Sequence, residues 1–574
     1  MMRFDVWAPR PSAVEIEVDG ARHPMADAGA GWRTADVPTR PGATYAFVLD
    51  GGPPRPDPRS AHQPEGPHGP SQVVDHTAFA WTDHDFRPAP LSSAVLYELH
   101  VGTFTPGGTF DSAIERLDYL VDLGVTHVEL MPVCEFPGTR GWGYDGVNLW
   151  APHHALGGPD GLKRLVDALH QRGLAAILDV VYNHLGPSGN YLAEFGPYFT
   201  DHYATPWGDA INFDQAGSDE VRRFFIDNAC AWLRDYHFDA LRLDAVHAIV
   251  DMSAVHFLEE LAIEVEKLAG ALGRDLDLIA ESDLNDPRLV TSREAGGYGL
   301  RAQWSDDFHH ALHITLTGEQ TGYYADFTGA ADLVKSLRDV FVNDGRHSGF
   351  RQRRHGRPTD GLPFDRFLAY AQNHDQVGNR ARGDRLGALV EPAALKLAAA
   401  ITLLGPCVPM LFAGEEWGAA TPFCYFTDHD DPALGEAVRA GRRAEFAAFG
   451  WDPEQIPDPQ ALATFEQSRL DWTELRRPDC ADLLEWHRRL IALRRAEPDL
   501  TNPLRGATSV EHDAATGVIT LQRGHFTIIA NTSRQPAKAP APASVEPVLR
   551  SADVTASAGN VHLPPLGVAV LRRA

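Results

Sequence analysis

The stretch FDALRLDAVH, residues 238–247, is short, apolar and bounded by helix and turn signals, so it reads as a buried strand. Arg242 and Asp244 stand two residues apart in it and therefore share one strand face. A buried charge is costly unless it is paired. The pair is either a structural ion pair or an arginine that keeps a carboxylate ionised for chemistry. Other apolar runs also close on polar residues. Asp179, Asn183 and His184 end LAAILDVVYNH, and His247 ends the first stretch. Glu281 and Asp283 end DLIAESD, Asp306, Asp307, His309 and His310 follow AQWS, and Asn373, His374 and Asp375 end FLAYAQNHD. Any one of these carboxylates can be a helix N-cap, and for Asp283 and Asp307 that reading is natural. Five such ends in succession fit a single site better. Carboxylates, an arginine and several histidines suit metal-assisted hydrolysis. They also suit glycoside hydrolysis, which needs one ionised and one protonated carboxyl. No HxH or HExxH pair closes the early runs, which favours the second chemistry. Trp142, Tyr144, Trp304 and Phe308 lie near the same ends, where flat rings can stack on sugars. Core packing is the alternative for them, above all for Phe308.

These residues need elements to bring them together. Eight strand-like runs (94–104, 126–133, 174–184, 240–246, 277–282, 302–308, 367–375 and 408–414) alternate with amphipathic helical segments. That count predicts a (β/α)8 TIM barrel, whose active site lies at the C-terminal strand ends. A doubly wound sheet is disfavoured, because no GxGxxG turn follows an early strand. Residues 1–88 carry short alternating runs separated by Pro and Gly, which predicts an N-terminal β-sandwich. It ends in a Pro-rich linker (51–75) that reads as an extended strap on or between domains. The barrel then spans 89–497, and 498–574 reads as a C-terminal β-domain. Two long segments inside the barrel, 185–217 and 415–480, are of the kind that carries function.

A chain of 574 residues needs more than one core. Its net charge of -27 argues against nucleic acid and anionic membrane surfaces and fits a neutral substrate. The five cysteines are scattered without a CxxC pattern, so neither a disulfide framework nor a zinc cluster is expected. Neither a signal segment nor a long apolar run is visible, which predicts a cytoplasmic protein.

Taken in order, DVVYNH (179–184), ALRLDAVH (240–247), IAESD (279–283) and QNHDQ (372–376) resemble the four short sequence regions of the α-amylase superfamily of glycoside hydrolases. The resemblance implies a retaining mechanism with Asp244 as nucleophile, Glu281 as general acid/base and Asp375 as transition-state stabiliser. It implies substrate contacts at His184, Arg242 and His374, and at Tyr144 of GWGYD beneath the attacked sugar; Asp179 and His247, at the same strand ends, are expected to bind substrate with them. The physics agrees with these roles. Arg242 keeps Asp244 ionised, while two nearby carboxylates and a low-dielectric pocket raise Glu281 so that it starts protonated. Retention needs the two carboxyl groups roughly 5–5.5 Å apart.

WSDDFHHALH (304–313), FPGTRGWGYDGV (136–147), LFAGEEWGAATPFCYFTDH (411–429) and the linker (56–75) are similar to the maltooligosyltrehalose trehalohydrolase branch of that superfamily. This implies maltooligosyltrehalose as substrate. It also implies recognition groups at Asp306, Asp307, Phe308, His309 and His310, and at His374, Gln376, Val377, Gly378 and Asn379. A glucan branching enzyme and a non-catalytic glycan-binding barrel are the alternatives. DDFHHALH fits the first of them poorly, and an intact Asp244, Glu281 and Asp375 set argues against the second. Calcium-dependent members hold a metal near the position of Asn183. Here 185–217 is modest and poor in spaced carboxylates, so no metal or other cofactor is expected and Asn183 reads as a structural bracket.

Overall fold

In the computed structural model, residues 1–205, 208–448, 456–541, 545–551, 553–557 and 559–573 are described. Residues 206–207 and 449–455, inside the two long segments noted above, lie outside the described residues, as does Ala574 at the end of the last strand-like run.

Eight parallel strands close into a barrel. They are β1 (Leu96–Leu99), β2 (His127–Leu130), β3 (Ala175–Val180), β4 (Ala240–Leu243), β5 (Asp277–Ala280), β6 (Ala302–Trp304), β7 (Phe367–Tyr370) and β8 (Val408–Phe412). Each pairs with its sequence neighbour, and β8 returns to β1. All eight expected runs are present, and each strand is shorter than its apolar run. The ladder stops where the polar residues begin, and the chain turns into a helix or loop. The run at 94–104 becomes β1 and then the helix Val101–Phe104, and the run at 302–308 stops at Trp304. These overhanging ends are the part of the barrel that can face a substrate.

Period-2 alternation sends one set of side chains into the barrel. Leu96, Ile177, Ala240, Ile279, Ala302, Leu368 and Val408 belong to a buried plug at its foot. Higher up, Glu98, Glu129, Asp179 and Arg242 are all buried. The helices around the barrel follow from ordinary signals. In α1 (Gly158–Gln171), Pro159 sits in the first turn, and Leu162, Leu165, Val166 and Leu169 fall on one buried stripe. Helix α2 (Ser218–Asp235) is followed by α3 (Phe257–Leu272), which ends at left-handed Gly273. Next come α4 (Asp306–Thr317), α5 (Pro392–Leu404) and α6 (Pro478–Ala496).

Ahead of the barrel lie two antiparallel sheets, one built on Met2–Trp7 and Trp32–Val37, the other on Val14–Val18 and Thr44–Leu49. The linker then runs across the barrel, tied by Tyr45–Asp57, Asp57–Ser71 and Ser71–Gln63 hydrogen bonds. Behind the barrel lie a five-stranded and a three-stranded antiparallel sheet. Two buried arginines gather at the end of α5, Arg494 from α6 and Arg523 from the five-stranded sheet. Arg494 donates to the carbonyls of Leu403, Gly405 and Cys407, and Arg523 to those of Leu404, Gly405, Leu500 and Asn502. Among the described residues, no helix is long and apolar enough to cross a membrane.

Candidate active site

Arg242 is the hub of the mouth. Its Nη1 donates to both oxygens of Asp179, at 2.9 and 2.8 Å, and to Asp244 Oδ1 at 2.8 Å. Its Nη2 lies 3.7 Å from Glu281 Oε2, and its guanidinium sits 4.3 Å from the centre of the Trp304 ring. Register explains the grouping. Asp179 on β3 pairs directly with Arg242 on β4, and Asp244 is the next residue on the same face. Asn183 holds the other side of Asp244, donating 2.7 Å to Oδ2 and 2.9 Å to its carbonyl.

The carboxyl groups differ in charge because their surroundings differ. Burial raises Asp244, but Arg242 outweighs it, with help from His184 and Asn183, and holds this carboxyl below its ordinary range. Burial also raises Glu281. Arg242 opposes the rise from a distance, while Asp244, Asp306 and Asp375 add to it, so Glu281 stands well above the usual carboxylate value. Glu281 accepts one hydrogen bond, 2.5 Å from the Ala245 backbone N–H. Ala245 has φ of 39°, in the left-handed region, strained for a residue with a side chain. That turn aims the Asp244–Ala245 corner at Glu281. Asp179 is pushed up to about 6 by burial and remains ionised at neutral pH against Arg242.

Tyr144 and His374 form the floor. The Tyr144 hydroxyl donates to Asp179 Oδ2 at 2.6 Å and accepts from His374 Nε2 at 2.7 Å, and the two rings stack at 5.2 Å. Glu98 accepts from His374 Nδ1 at 2.5 Å and from its backbone N–H at 2.9 Å. Against burial, Asp375 and Glu98 push His374 up to about 9, so it is a cation at neutral pH. His184 Nε2 is 3.0 Å from the Tyr144 carbonyl. Asp244, Glu281 and Asp375 keep 12, 15 and 40% of their side-chain surface open to the mouth, whereas Asp179 and Arg242 are closed off.

A cavity of about 280 Å³ opens on the Glu281 side. Glu281, Asp306, His310, Asn373, Asp375, Gln376 and Asn379 line it, as do three residues that sequence reasoning did not single out: Tyr323, Phe350 and Arg351. Phe350 is nearly half exposed, and Arg351 donates 2.9 Å to Asp283. An aromatic set among arginines and glycines in HSGFRQRRHG was the available sequence signal. A larger cavity, about 560 Å³, lies at the opposite end of the barrel among Pro88, His127, Asp277 and Arg301. None of the three mouth carboxylates reaches it.

The strand 6 motif divides. Asp306 and His310, four apart on α4, face the cavity, and Asp306 accepts from Tyr370 OH at 2.6 Å and Gln376 Nε2 at 3.1 Å. The expected substrate contacts of Asp307, Phe308 and His309 are not met by their placement. Asp307 accepts from the backbone N–H groups of Val342 and Asn343 and from Asn285. Phe308 is core, and His309 is held between the Ala371 carbonyl and Tyr324 OH. Successive helical residues point about 100° apart, so a contiguous run cannot all face one mouth. Trp142 and Trp304 are also buried, although Trp304 borders the Glu281 cavity. Trp142 stacks on Phe423 and packs tightly against Gly378, and Trp304 lies under Arg242. Val377 is core, and His247 stands behind Asp283, 3.8 Å away.

One cluster among the described residues has metal-ligand composition: Glu135, His153 and His154. Two of its members, Glu135 and His154, are engaged with each other. Glu135 accepts from His154 Nδ1 and the His154 backbone N–H, both at 2.8 Å, and His153 Nδ1 accepts from Ala155 N. His153 Nε2 faces Glu135 at 3.7 Å. The Asn183 amide is likewise committed to Asp244 and His184.

The family model for the alpha amylase catalytic domain matches residues 74–206. The malto-oligosyltrehalose trehalohydrolase of Arthrobacter ramosus is 53% identical over 99% of both chains. A crystal structure of a putative alpha amylase from Salmonella typhimurium superposes with a TM-score of 0.91 at 38% identity, covering 100% of this chain and 97% of that one. A 1,4-alpha-glucan branching enzyme from Corynebacterium jeikeium is 28% identical over 72% of this chain and 60% of its own length.

Proposed function

The chain belongs to the malto-oligosyltrehalose trehalohydrolase family, and we infer that it hydrolyses the α-1,4 bond next to the terminal trehalose of maltooligosyltrehalose, with retained configuration. The observation that carries the mechanism is the contrast between Asp244, held ionised by Arg242, and Glu281, held protonated beside it. In this reading Asp244 attacks the anomeric carbon of the glucosyl unit over Tyr144. The glycosidic bond breaks as Glu281 gives its proton to the leaving oxygen, and trehalose departs. Water then attacks the glycosyl ester, its proton going to Glu281 and its hydroxyl to the anomeric carbon, which frees Asp244 and the maltooligosaccharide. Asp375 and the His374 cation fit contacts with hydroxyls of the distorted sugar. Asp306 and His310, with Gln376 and Asn379, fit hydrogen bonding to the trehalose unit in the acid-side cavity.

Product analysis tests this. Incubated without added metal, the protein is expected to release trehalose from maltooligosyltrehalose and to act slowly on plain maltooligosaccharides. Longer branched glucans without trehalose would reassign the chain to transfer.

A further inference from the structure

The linker meets the loops that follow β3 and β8. His68 Nδ1 and Tyr191 OH are 2.6 Å apart, and His68 Nε2 is 3.0 Å from Asp430 Oδ2. Ser188 Oγ donates to Asp430 Oδ1 at 2.9 Å. Three separate parts of the chain meet here: the linker, the loop after β3 and the loop after β8. The linker and the β3 loop are in close contact. Gly189 has φ of +83°, and a Cβ there would come within 2.6 Å of Pro67. Arg55 lies 4.1 Å from the Tyr191 ring centre and is paired with Glu194, which fixes the loop from outside.

A short chain of contacts links this group to the catalytic mouth. Asn183 binds Asp244, and its neighbour His184 binds the Tyr144 carbonyl. The next residue, Asp145, is partly open and 4.0 Å from His429 Nε2, and Asp430 follows His429. None of these residues lines the Glu281 cavity assigned to the leaving unit, and the contacts connect them to the Asp244 side. The His68 and Asp430 side chains keep 46 and 44% of their surface open, so the group presents polar atoms there rather than enclosing them. Imidazole, two hydroxyls and a carboxylate together offer donors and acceptors suited to vicinal sugar hydroxyls.

Resting on the reading above, we propose that His68, Ser188 and Asp430 form a further glucosyl subsite, contributed in part by the N-terminal linker, for the maltooligosyl chain beyond the attacked sugar. The linker thus reads chain length.

The test uses the full chain and a series of maltooligosyltrehaloses of increasing length. In His68→Ala and Asp430→Ala, kcat/KM on long substrates should fall about three- to tenfold, the worth of one or two hydrogen bonds to neutral hydroxyls. The loss should appear in KM and should shrink as the chain shortens past the subsite. His68→Gln and Asp430→Asn, which keep hydrogen-bonding groups, should recover part of the loss. Thermal melts accompany each variant, and the conservative pair carries the test if an alanine variant melts early. The same fold loss at every length would make the group a structural latch and overturn the proposal, as would no loss at any length. Wild-type protein that releases no trehalose from any substrate would instead overturn the reading on which the proposal rests.

Discussion

Asp244 and Glu281 lie around one arginine, yet one is held ionised and the other protonated. Arg242 contacts Asp244 directly at 2.8 Å and Glu281 only at 3.7 Å, while Glu281 also faces Asp306 and Asp375. This has a consequence for stability. Glu281 has a folded pKa above its unfolded value of about 4.3, so folding takes up a proton. Its contribution is fully present below about pH 4.3 and is lost as pH rises through the folded pKa. Glu281→Gln should therefore lower kcat about 10²–10⁴-fold and also raise the melting temperature. The gain over wild type should grow as pH rises above about 4.3 and level off once the folded pKa is passed, and melts across pH check it. Arg242→Met should do the opposite. It leaves Asp179 and Asp244 buried without their cation, at a cost of about 3–5 kcal/mol in urea unfolding. It should also move the acid limb of the kcat/KM profile upward, because Asp244 loses the charge that keeps it ionised.

At the scale of the element, α4 separates recognition from support. Positions 306 and 310 share the face that lines the cavity, while 307, 308 and 309 turn toward neighbouring loops and core. Asp307→Ala removes the acceptor for two buried N–H groups and should cost about 1–3 kcal/mol of stability. Once folded, it should lose activity alike on trehalose-ended and plain substrates. Asp306→Ala and His310→Ala should instead lose most on trehalose-ended ones. A ratio of kcat/KM for the two substrates, measured for all three variants, distinguishes these outcomes. The alternation of faces is a helical property, so it was available from DDFHHALH once the helix start at residue 306 was known. The N-cap position at Ser305 was the uncertain step, because a strand run continuing to 308 fits the same letters.

At the scale of the whole molecule, the buried Arg523 secures the C-terminal sheets to the barrel by donating to carbonyls, and the buried Arg494 ties α6 to the same end of α5. Both donate to carbonyls at the end of α5, where the helix dipole favours a cation. Burial lowers Arg494 to about 9 and Arg523 to about 10, which marks how little water reaches them. Arg523→Met leaves carbonyls of both regions unpaired and should lower the unfolding free energy by about 2–4 kcal/mol, with kcat on the proposed substrate unchanged at temperatures where the fold holds. Denaturant unfolding followed beside activity checks it.

The eight barrel strands and the residues at their ends were legible in the sequence because each strand is a continuous apolar run that stops at a polar residue. A strand buried on both faces has to be written that way. The proximity of Asp244 to Arg242 was legible for the same local reason, a period of two. Other features depend on contacts between distant segments. That Asp179 meets Arg242 follows from barrel register, and that Glu98 on β1 charges His374 after β7 follows from barrel closure. Arg351 and Phe350 come to the cavity on a loop with no periodicity, and His68 arrives from a strap more than 100 residues before Ser188. Local pattern determines which residues form an element. Only the closed tertiary structure decides which ends of those elements, separated by hundreds of residues, share one low-dielectric mouth and set one another's charge.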